Sequence, residues 1–290
     1  MMPEMDGYEV LRQIQANAKT NGIPVIFVTA MNQEADEEFG INLGAVDYIT
    51  KPISPAILLA RVRNHLLLKD AKDFLKDQKR FLERELTAVQ DVAIHAFGSL
   101  AETRSDGTVN HVRRTQSYIR LLGETLKKHP RFSSFLTDDM IVLLSKSASI
   151  HDIGKVAIPD QILLKSNPLE PEEFEIMKTH TTIGRNAIER AEQAIGVNTE
   201  FLRYAKEMTY SHHERWDGEG YPQGLKGEAI PVSARSRALA DVYDVLISQR
   251  PYKGPIPHDE AVQIIAAAKN THFDPDIADA FLQIHQQFHD

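Results

Sequence analysis

Two kinds of hydrophobic pattern divide the chain. Over residues 1–70, short apolar runs rich in β-branched residues alternate with stretches of helical spacing. The runs are Ile23-Pro24-Val25-Ile26-Phe27-Val28-Thr29 and Gly44-Ala45-Val46-Asp47-Tyr48-Ile49-Thr50; the helical stretches are Glu9 to Ile14 and Pro55 to Leu68. Such runs predict buried parallel strands, hence a partial α/β unit. Residues 64–104 carry a long polar helix pattern with no Gly or Pro before Gly98. Leu75, Leu82, Leu86, Val89, Ala93, Ala96 and Leu100 follow its 3/4 spacing, interrupted at Lys79, as in a coiled coil that joins domains and dimerises. One amphipathic helix lying on its own domain gives the same pattern. From residue 105 the strand signals end. Amphipathic helical runs follow near 111–128, 138–151, 172–192, 199–213, 233–249, 259–269 and 275–288. Pro171-Glu172-Glu173 and Asp274-Pro275 are helix starts. The pattern predicts a mainly α chain: a partial α/β unit at 1–70, a helical linker at 71–104 and an all-α domain at 105–290.

Composition narrows the chemistry. The 290 residues have room for about two domains. There is no cysteine, which removes disulfides, thiolate metal sites and cysteine nucleophiles. A transition-metal site must then use imidazole and carboxylate, ligands that suit iron, manganese, nickel or zinc. The formal charge of −8 comes from mixed acids and bases, so a surface that coats a nucleic-acid polymer is not expected, although local basic pockets are allowed. No apolar run reaches about 18 residues and no basic-then-apolar leader opens the chain, which predicts a cytoplasmic protein without a membrane partner.

The densest chemistry lies at His151-Asp152-Ile153-Gly154-Lys155, after an apolar helical run. Neighbouring side chains in mid-helix diverge by about 100°. Gly154 suggests that the helix stops there and lets both ligand-type residues turn to one centre. A carboxylate can bridge two metals and an imidazole nitrogen binds one. A surface hydrogen bond at a helix end is the plainer reading of the pair alone. His111, His180, His212 and His213 also stand at helix ends or on helical faces, with Gly184 one turn after His180 leaving access to it open. Asp241 lies in an apolar helical run, where an acid is costly unless paired or metal-bound; Arg237, four residues earlier, is its salt-bridge alternative.

Longer motifs complete the set: His111-x-x-Arg114, Lys178-Thr179-His180, the block His212-His213-Glu214-Arg215-Trp216-Asp217-Gly218-Glu219-Gly220-Tyr221-Pro222-Gln223-Gly224-Leu225-Lys226-Gly227, then Ala240-Asp241-Val242-Tyr243-Asp244 and Arg250-Pro251-Tyr252-Lys253. With these, residues 85–290 resemble the HD-GYP domain, a branch of the HD phosphohydrolases. The resemblance implies an all-α, metal-dependent hydrolase of cyclic di-GMP. Carried over by position, the ligands are His111, His151, Asp152, His180, His212, His213 and Asp241, with Asp152 bridging two divalent metals, iron or manganese first and nickel or zinc next. Three-metal members use a glutamate four residues before the first ligand histidine; Gly107 stands there and Asp106 is one residue off, so two metals are expected. Lys155 is assigned a catalytic phosphate contact and Asp244 the holding of Lys155. Tyr221 and Trp216 are assigned as rings against the substrate, and Arg250 and Lys253 as its phosphate-holding pair. An activated water would attack phosphorus in line with the leaving 3′ oxygen, giving pGpG and, in some members, GMP. The same chemistry on cyclic GMP-AMP, or a sensor or scaffold that binds the dinucleotide or a diguanylate cyclase without turnover, are the alternatives.

Residues 1–70 resemble the C-terminal half of a flavodoxin-like response-regulator receiver, carried by Met2-Pro3-Glu4-Met5-Asp6-Gly7, Thr29-Ala30, Gly44-Ala45-x-Asp47-Tyr48 and Lys51-Pro52. In that family the Thr and Lys contact a phosphoryl group, places held here by Thr29 and Lys51. The phospho-accepting Asp would precede the first motif and is missing from the sequence as written, which predicts a truncated chain or a misplaced start and no phosphorylation at this segment.

Overall fold

The computed structural model describes residues 5–30, 34–104, 110–249 and 254–289, and the chain divides into two compact units, residues 1–87 and 88–290. In the first unit, α1 (Gly7–Ala16) is capped by Asp6, whose side chain accepts from the Glu9 N–H. Strand β1 (Ile26–Thr29), helix α2 (Glu34–Asn42) and strand β2 (Asp47–Thr50) follow. The strands pair in parallel, with Ile26 opposite Asp47 and Thr29 opposite Thr50. β1 starts three residues after Ile23, and Pro24, which lies just ahead of it, has no N–H to give to a ladder. This register brings Thr29 beside Lys51, whose N–H donates to the Thr29 carbonyl at 2.7 Å.

The two helical stretches expected at 55–68 and 64–104 are one helix, α3 (Pro55–Thr103). Nothing between them breaks the backbone ladder: the next proline after Pro55 is Pro130. Along α3, Leu75, Leu82, Leu86, Val89 and Leu100 are each 60% exposed or more.

The second unit is helical. Helix α4 (His111–Leu126) buries Val112, Thr115, Tyr118, Ile119, Leu122 and Leu126, a stripe at helical spacing. It packs on α5 (Asp138–Ser147), which Thr137 caps by accepting from the Met140 N–H. Short α6 (Asp160–Leu163) leads to α7 (Pro171–Ile195). There Pro171 holds the first position, as its start signal predicts, and Glu170 and Glu173 form a capping box. Then come α8 (Glu200–Ser211), α9 (Val232–Ile247), α10 (His258–Ala267), α11 (Pro275–Ile284), started by Asp274 and Pro275, and α12 (Gln286–His289). The core gathers Leu122 and Leu126 from α4, Ile141 and Leu144 from α5, Tyr204 and Met208 from α8, Leu239 and Tyr243 from α9 and Phe281 from α11. Tyr118 stacks on Phe288 at 4.5 Å and meets Tyr243 edge-on at 5.3 Å, packing that fixes α4 against α9.

The helix expected over 138–151 ends at Ser147 and tightens into 3-10 turns at Ala148–Ile150 and Ile153–Ala157. Gly154 is therefore not the residue that stops the α-helix. A Cβ there would lie 1.9 Å from the His180 carbonyl, and one on Gly184 would lie 2.6 Å from Thr209 Cγ2 and 3.1 Å from Gly154 N. The two glycines let the 151–155 turn, α7 and α8 approach more closely than side chains allow. Gly184 thus serves packing and does not hold open a path to His180.

Candidate metal centre

Five segments aim side chains at one centre: His111 opens α4, His151 and Asp152 link the two 3-10 turns, His180 is in α7, His212 caps α8 with His213 following, and Asp241 is in α9. All seven residues read as ligands from the sequence meet there. Their donor atoms form three overlapping groups, His180-His212-His213, His151-Asp152-His212 and His111-His151-Asp241, each within 4.8 Å.

Four of the imidazoles are oriented through Nδ1. His151 bonds the Ala148 carbonyl at 2.9 Å, His180 that of Met177 at 2.7 Å and His212 that of Met208 at 2.9 Å, while His111 bonds Asp244 Oδ2 at 2.7 Å. Carbonyl acceptors require the proton on Nδ1, which leaves the Nε2 lone pairs of His151, His180 and His212 facing the centre, the arrangement metal-binding histidines use. Burial, then the charge of Arg237, pushes His151 down to about 3; burial, with His212 and Lys155, takes His180 to about 4. His213 is held well below the usual range by burial and its neighbours His212 and His180. These three rings are neutral near pH 7, the form that binds a cation.

Asp152 lies between the histidine sets. Its Oδ1 is 3.4 Å from His180 Nε2 and 3.6 Å from His212 Nε2, while Oδ2 is 3.0 Å from His151 Nε2 and 2.6 Å from Lys155 Nζ. Burial would raise its pKa, but His151 and Lys155 outweigh that and keep it an anion. Asp152 Oδ1, His180 Nε2 and His212 Nε2 are buried without a hydrogen-bond partner. Orphaning such groups costs about 1–3 kcal/mol each. A divalent cation would satisfy all three, so the donor set fits a metal.

Asp241 realises both sequence readings. It stands 3.4 Å from His111 Nε2 and accepts from Arg237 Nη2 at 3.1 Å. Arg237 is fully buried. For His111, burial is outweighed by Asp241 and Asp244, which push it up to about 9.

Asp244 does not hold Lys155. Arg114 takes it in a two-pronged contact, Nε to Oδ1 at 2.6 Å and Nη2 to Oδ2 at 2.8 Å, and His111 uses Oδ2 as well. Lys155 is on the turn with Asp152 and bonds that residue. Asp244 is therefore a positioning residue for His111. Trp216 also departs from expectation: the guanidiniums of Arg131 and Arg235 stand over its ring at 5.3 and 5.7 Å, and its backbone N–H donates to the His272 carbonyl at 3.1 Å. It anchors its loop to the 271–272 segment. Tyr221 does reach the centre, stacking on His213 at 4.7 Å and 26°, which commits one ring face to a ligand histidine. Arg250, Lys253, Asp106 and Gly107 lie outside the described residues, as does the start of the first receiver motif.

Three contributors escaped the sequence reading. Arg237 was seen only as a partner for Asp241. Glu102, near the end of α3, comes within 4.0 Å of His111 Nε2, and burial raises its pKa. Glu214 is buried and accepts from the Gln223 N–H at 2.7 Å and the Leu225 N–H at 2.9 Å, tying down the glycine-rich loop. An acid directly after two ligand-type histidines was the available signal for Glu214; nothing local marked the other two.

Comparison with known proteins agrees with this geometry. Residues 98–277 match the HD domain family and residues 1–63 the response regulator receiver domain. A Vibrio cholerae protein named probable cyclic di-GMP phosphodiesterase is 48% identical over 297 residues, covering 100% of this chain and 67% of its own length. The Xanthomonas campestris cyclic di-GMP phosphodiesterase response regulator RpfG is 35% identical over 289 residues, 97% of this chain and 73% of its own. A Vibrio cholerae 3'3'-cGAMP-specific phosphodiesterase 2 is 33% identical over 195 residues, 67% of this chain and 35% of its own. The chain belongs to the HD domain family, as a response regulator of the HD-GYP branch.

Proposed function

We propose that this chain is a metal-dependent phosphodiesterase that opens cyclic di-GMP to pGpG, the step that some members of the family follow with release of GMP. The observation that carries the reading is Asp152, a largely buried carboxylate whose two oxygens face different histidines, beside imidazole nitrogens that lack partners. His180, His212, His213 and Asp152 would hold divalent iron or manganese. Such a metal supplies Lewis acidity and makes water a nucleophile at neutral pH. The chain's own residues do the rest. Lys155, fixed against Asp152, offers its ammonium to a non-bridging phosphoryl oxygen. Tyr221, stacked on His213 and with Lys178 Nζ 5.6 Å from its ring centroid, is assigned to a guanine on its sequence motif. The carbonyls of Ala148, Met177 and Met208 keep three imidazoles turned inward. Arg250 and Lys253 are assigned to the second phosphate of a dianionic substrate on their sequence motif. Cyclic GMP-AMP is the second reading, favoured by the likeness to the cGAMP-specific relative.

Asp152→Ala should reduce release of pGpG from cyclic di-GMP by at least about 100-fold, since even residues behind the ligands are worth 10–100-fold. Unchanged turnover in that variant would refute the mechanism. Tight binding of cyclic di-GMP with metal present and no product would mark a sensor or scaffold instead. The exposed apolar stripe of α3 supports a homodimer through 71–104, and a diguanylate cyclase is a further partner of the scaffold reading. Among the described residues no helix is long and apolar enough to cross a membrane.

A further inference from the structure

The two halves of the centre are not equivalent, and the difference is one side chain. Arg237 lies one turn before Asp241 on α9 and is fully buried. Its Nη2 stands 2.5 Å from His151 Nε2, 3.1 Å from Asp241 Oδ1 and 3.2 Å from His111 Nε2. Those three atoms belong to the residues of one of the ligand groups. A transition metal held by such a trio would sit about 2.0–2.2 Å from each donor. The guanidinium nitrogen occupies that place.

We propose that Arg237 is a resident cation that fills the His111-His151-Asp241 position, so that this centre takes up one divalent metal, at His180, His212, His213 and Asp152. The inference rests on the metal-centre reading above and departs from the two-metal count that the sequence motif implies. Three observations carry it. A guanidinium has no lone pair for coordination and keeps its charge at any working pH, so it cannot join a metal's ligands and it repels a second cation. Its remaining nitrogens, Nε and Nη1, are buried without hydrogen-bond partners, so its polar contacts are concentrated on this trio. On the opposite side, the atoms lacking partners are all acceptors: Asp152 Oδ1 and the Nε2 atoms of His180 and His212. One half of the centre therefore contains its cation already, and the other half presents lone pairs. Arg237 also keeps a positive charge in the centre while removing the coordination sites that a second ion would need.

The test counts metal and does not depend on turnover. Metal-free full-length protein is titrated with Mn2+ against a competing chelator, and the bound ion is examined by electron paramagnetic resonance. Wild type should bind one Mn2+ per chain with the spectrum of an isolated ion. Arg237→Met should bind two, with the spectrum of a coupled pair about 3.5–4 Å apart. In case Arg237→Met does not fold, a second comparison stands alone. Asp241→Asn should keep one Mn2+ with less than about a threefold change in affinity, whereas His213→Ala should weaken binding by at least about tenfold. Two coupled ions in wild type, equal losses in Asp241→Asn and His213→Ala, or no Mn2+ bound at all would each overturn the proposal. Product release from cyclic di-GMP is measured separately. Hydrolysis by a two-ion wild type would sink this inference and leave the phosphodiesterase standing; a one-ion protein without turnover would do the reverse.

Discussion

His180, His212 and His213 on one side, and His111, His151 and Asp241 on the other, are built from the same kinds of donor and meet at Asp152. Their surroundings differ. The first set rests on α7 and α8, which approach each other at Gly184 and Thr209, and the Nε2 atoms of His180 and His212 and the Asp152 oxygen beside them have no protein donor to pair with. The second set rests on α4 and α9, and each of its members touches Arg237. A list of ligand-type residues treats the two as equal. What decides which position takes up a metal is the charge already standing there.

The largest effects should separate the halves outright. His212→Ala removes a lone pair that has no other use and should lower metal affinity by at least about 100-fold, measured by chelator competition. His111→Ala removes a neighbour of Arg237 and should lower it by less than about tenfold. Equal losses would erase the distinction.

Next in size is the support behind His111. Asp244 is buried between Arg114 and the His111 ring, and breaking such a pair costs about 3–5 kcal/mol. Asp244→Ala should lose stability on that scale in denaturant unfolding. Its metal affinity at the His180 side should stay within about threefold, because residues behind a ligand matter for that ligand's own site. A loss confined to metal binding would mean that Asp244 serves the chemistry directly.

Gly184→Ala sharpens the comparison from the other side. Its Cβ would press on Thr209 Cγ2 at 2.6 Å, and overpacking of this kind costs about 1–3 kcal/mol. Because Gly184 also packs on Gly154, two residues from Asp152, metal affinity should fall along with stability. A stable variant with unchanged affinity would show that the glycine pair does not set this geometry.

A further effect concerns acidity in the metal-free protein. His151 and His180 have folded values of about 3 and 4 against an ordinary value of 6.5. The unfolded chain therefore binds more protons than the folded one between those limits. Their contribution to stability is complete above about pH 6.5 and is lost as pH falls toward 4 and 3. His111, raised to about 9, works oppositely: its contribution is present below 6.5 and is lost as pH rises through 9. The melting temperature should drop on both sides of neutrality, and bound metal should delay the acid limb by keeping the imidazoles deprotonated. A flat profile from pH 7 to 4 would contradict the assignment of buried neutral rings.

Much of this was legible in the sequence. The helical stripe of α4 and the start signals at Pro171 and Asp274 could be read because periodicity and caps are local, while the seven ligand-type residues were carried by the HD-GYP motifs. The rest depended on contacts between distant segments. Asp244 meets Arg114 across 130 positions, and nothing near either residue announces that pairing over the expected one with Lys155. Gly154 looked like a helix stop from its neighbours alone; its reason is the His180 carbonyl. Trp216 looked like a substrate ring until Arg131 and Arg235 were placed over it. Arg237 was the hardest to foresee, because an i,i+4 salt bridge with Asp241 is ordinary on a helix. Only the inward aim of α9 turns that salt bridge into a cation at a ligand trio.

Crystals of the full chain equilibrated with Mn2+, with anomalous diffraction recorded, test the difference between the halves most directly. One anomalous peak is expected, about 2.0–2.2 Å from the Nε2 atoms of His180 and His212, with His213 and Asp152 completing its shell. Arg237 Nη2 should remain within hydrogen-bonding distance of Asp241. A second peak between His111, His151 and Asp241, with Arg237 displaced, would contradict it.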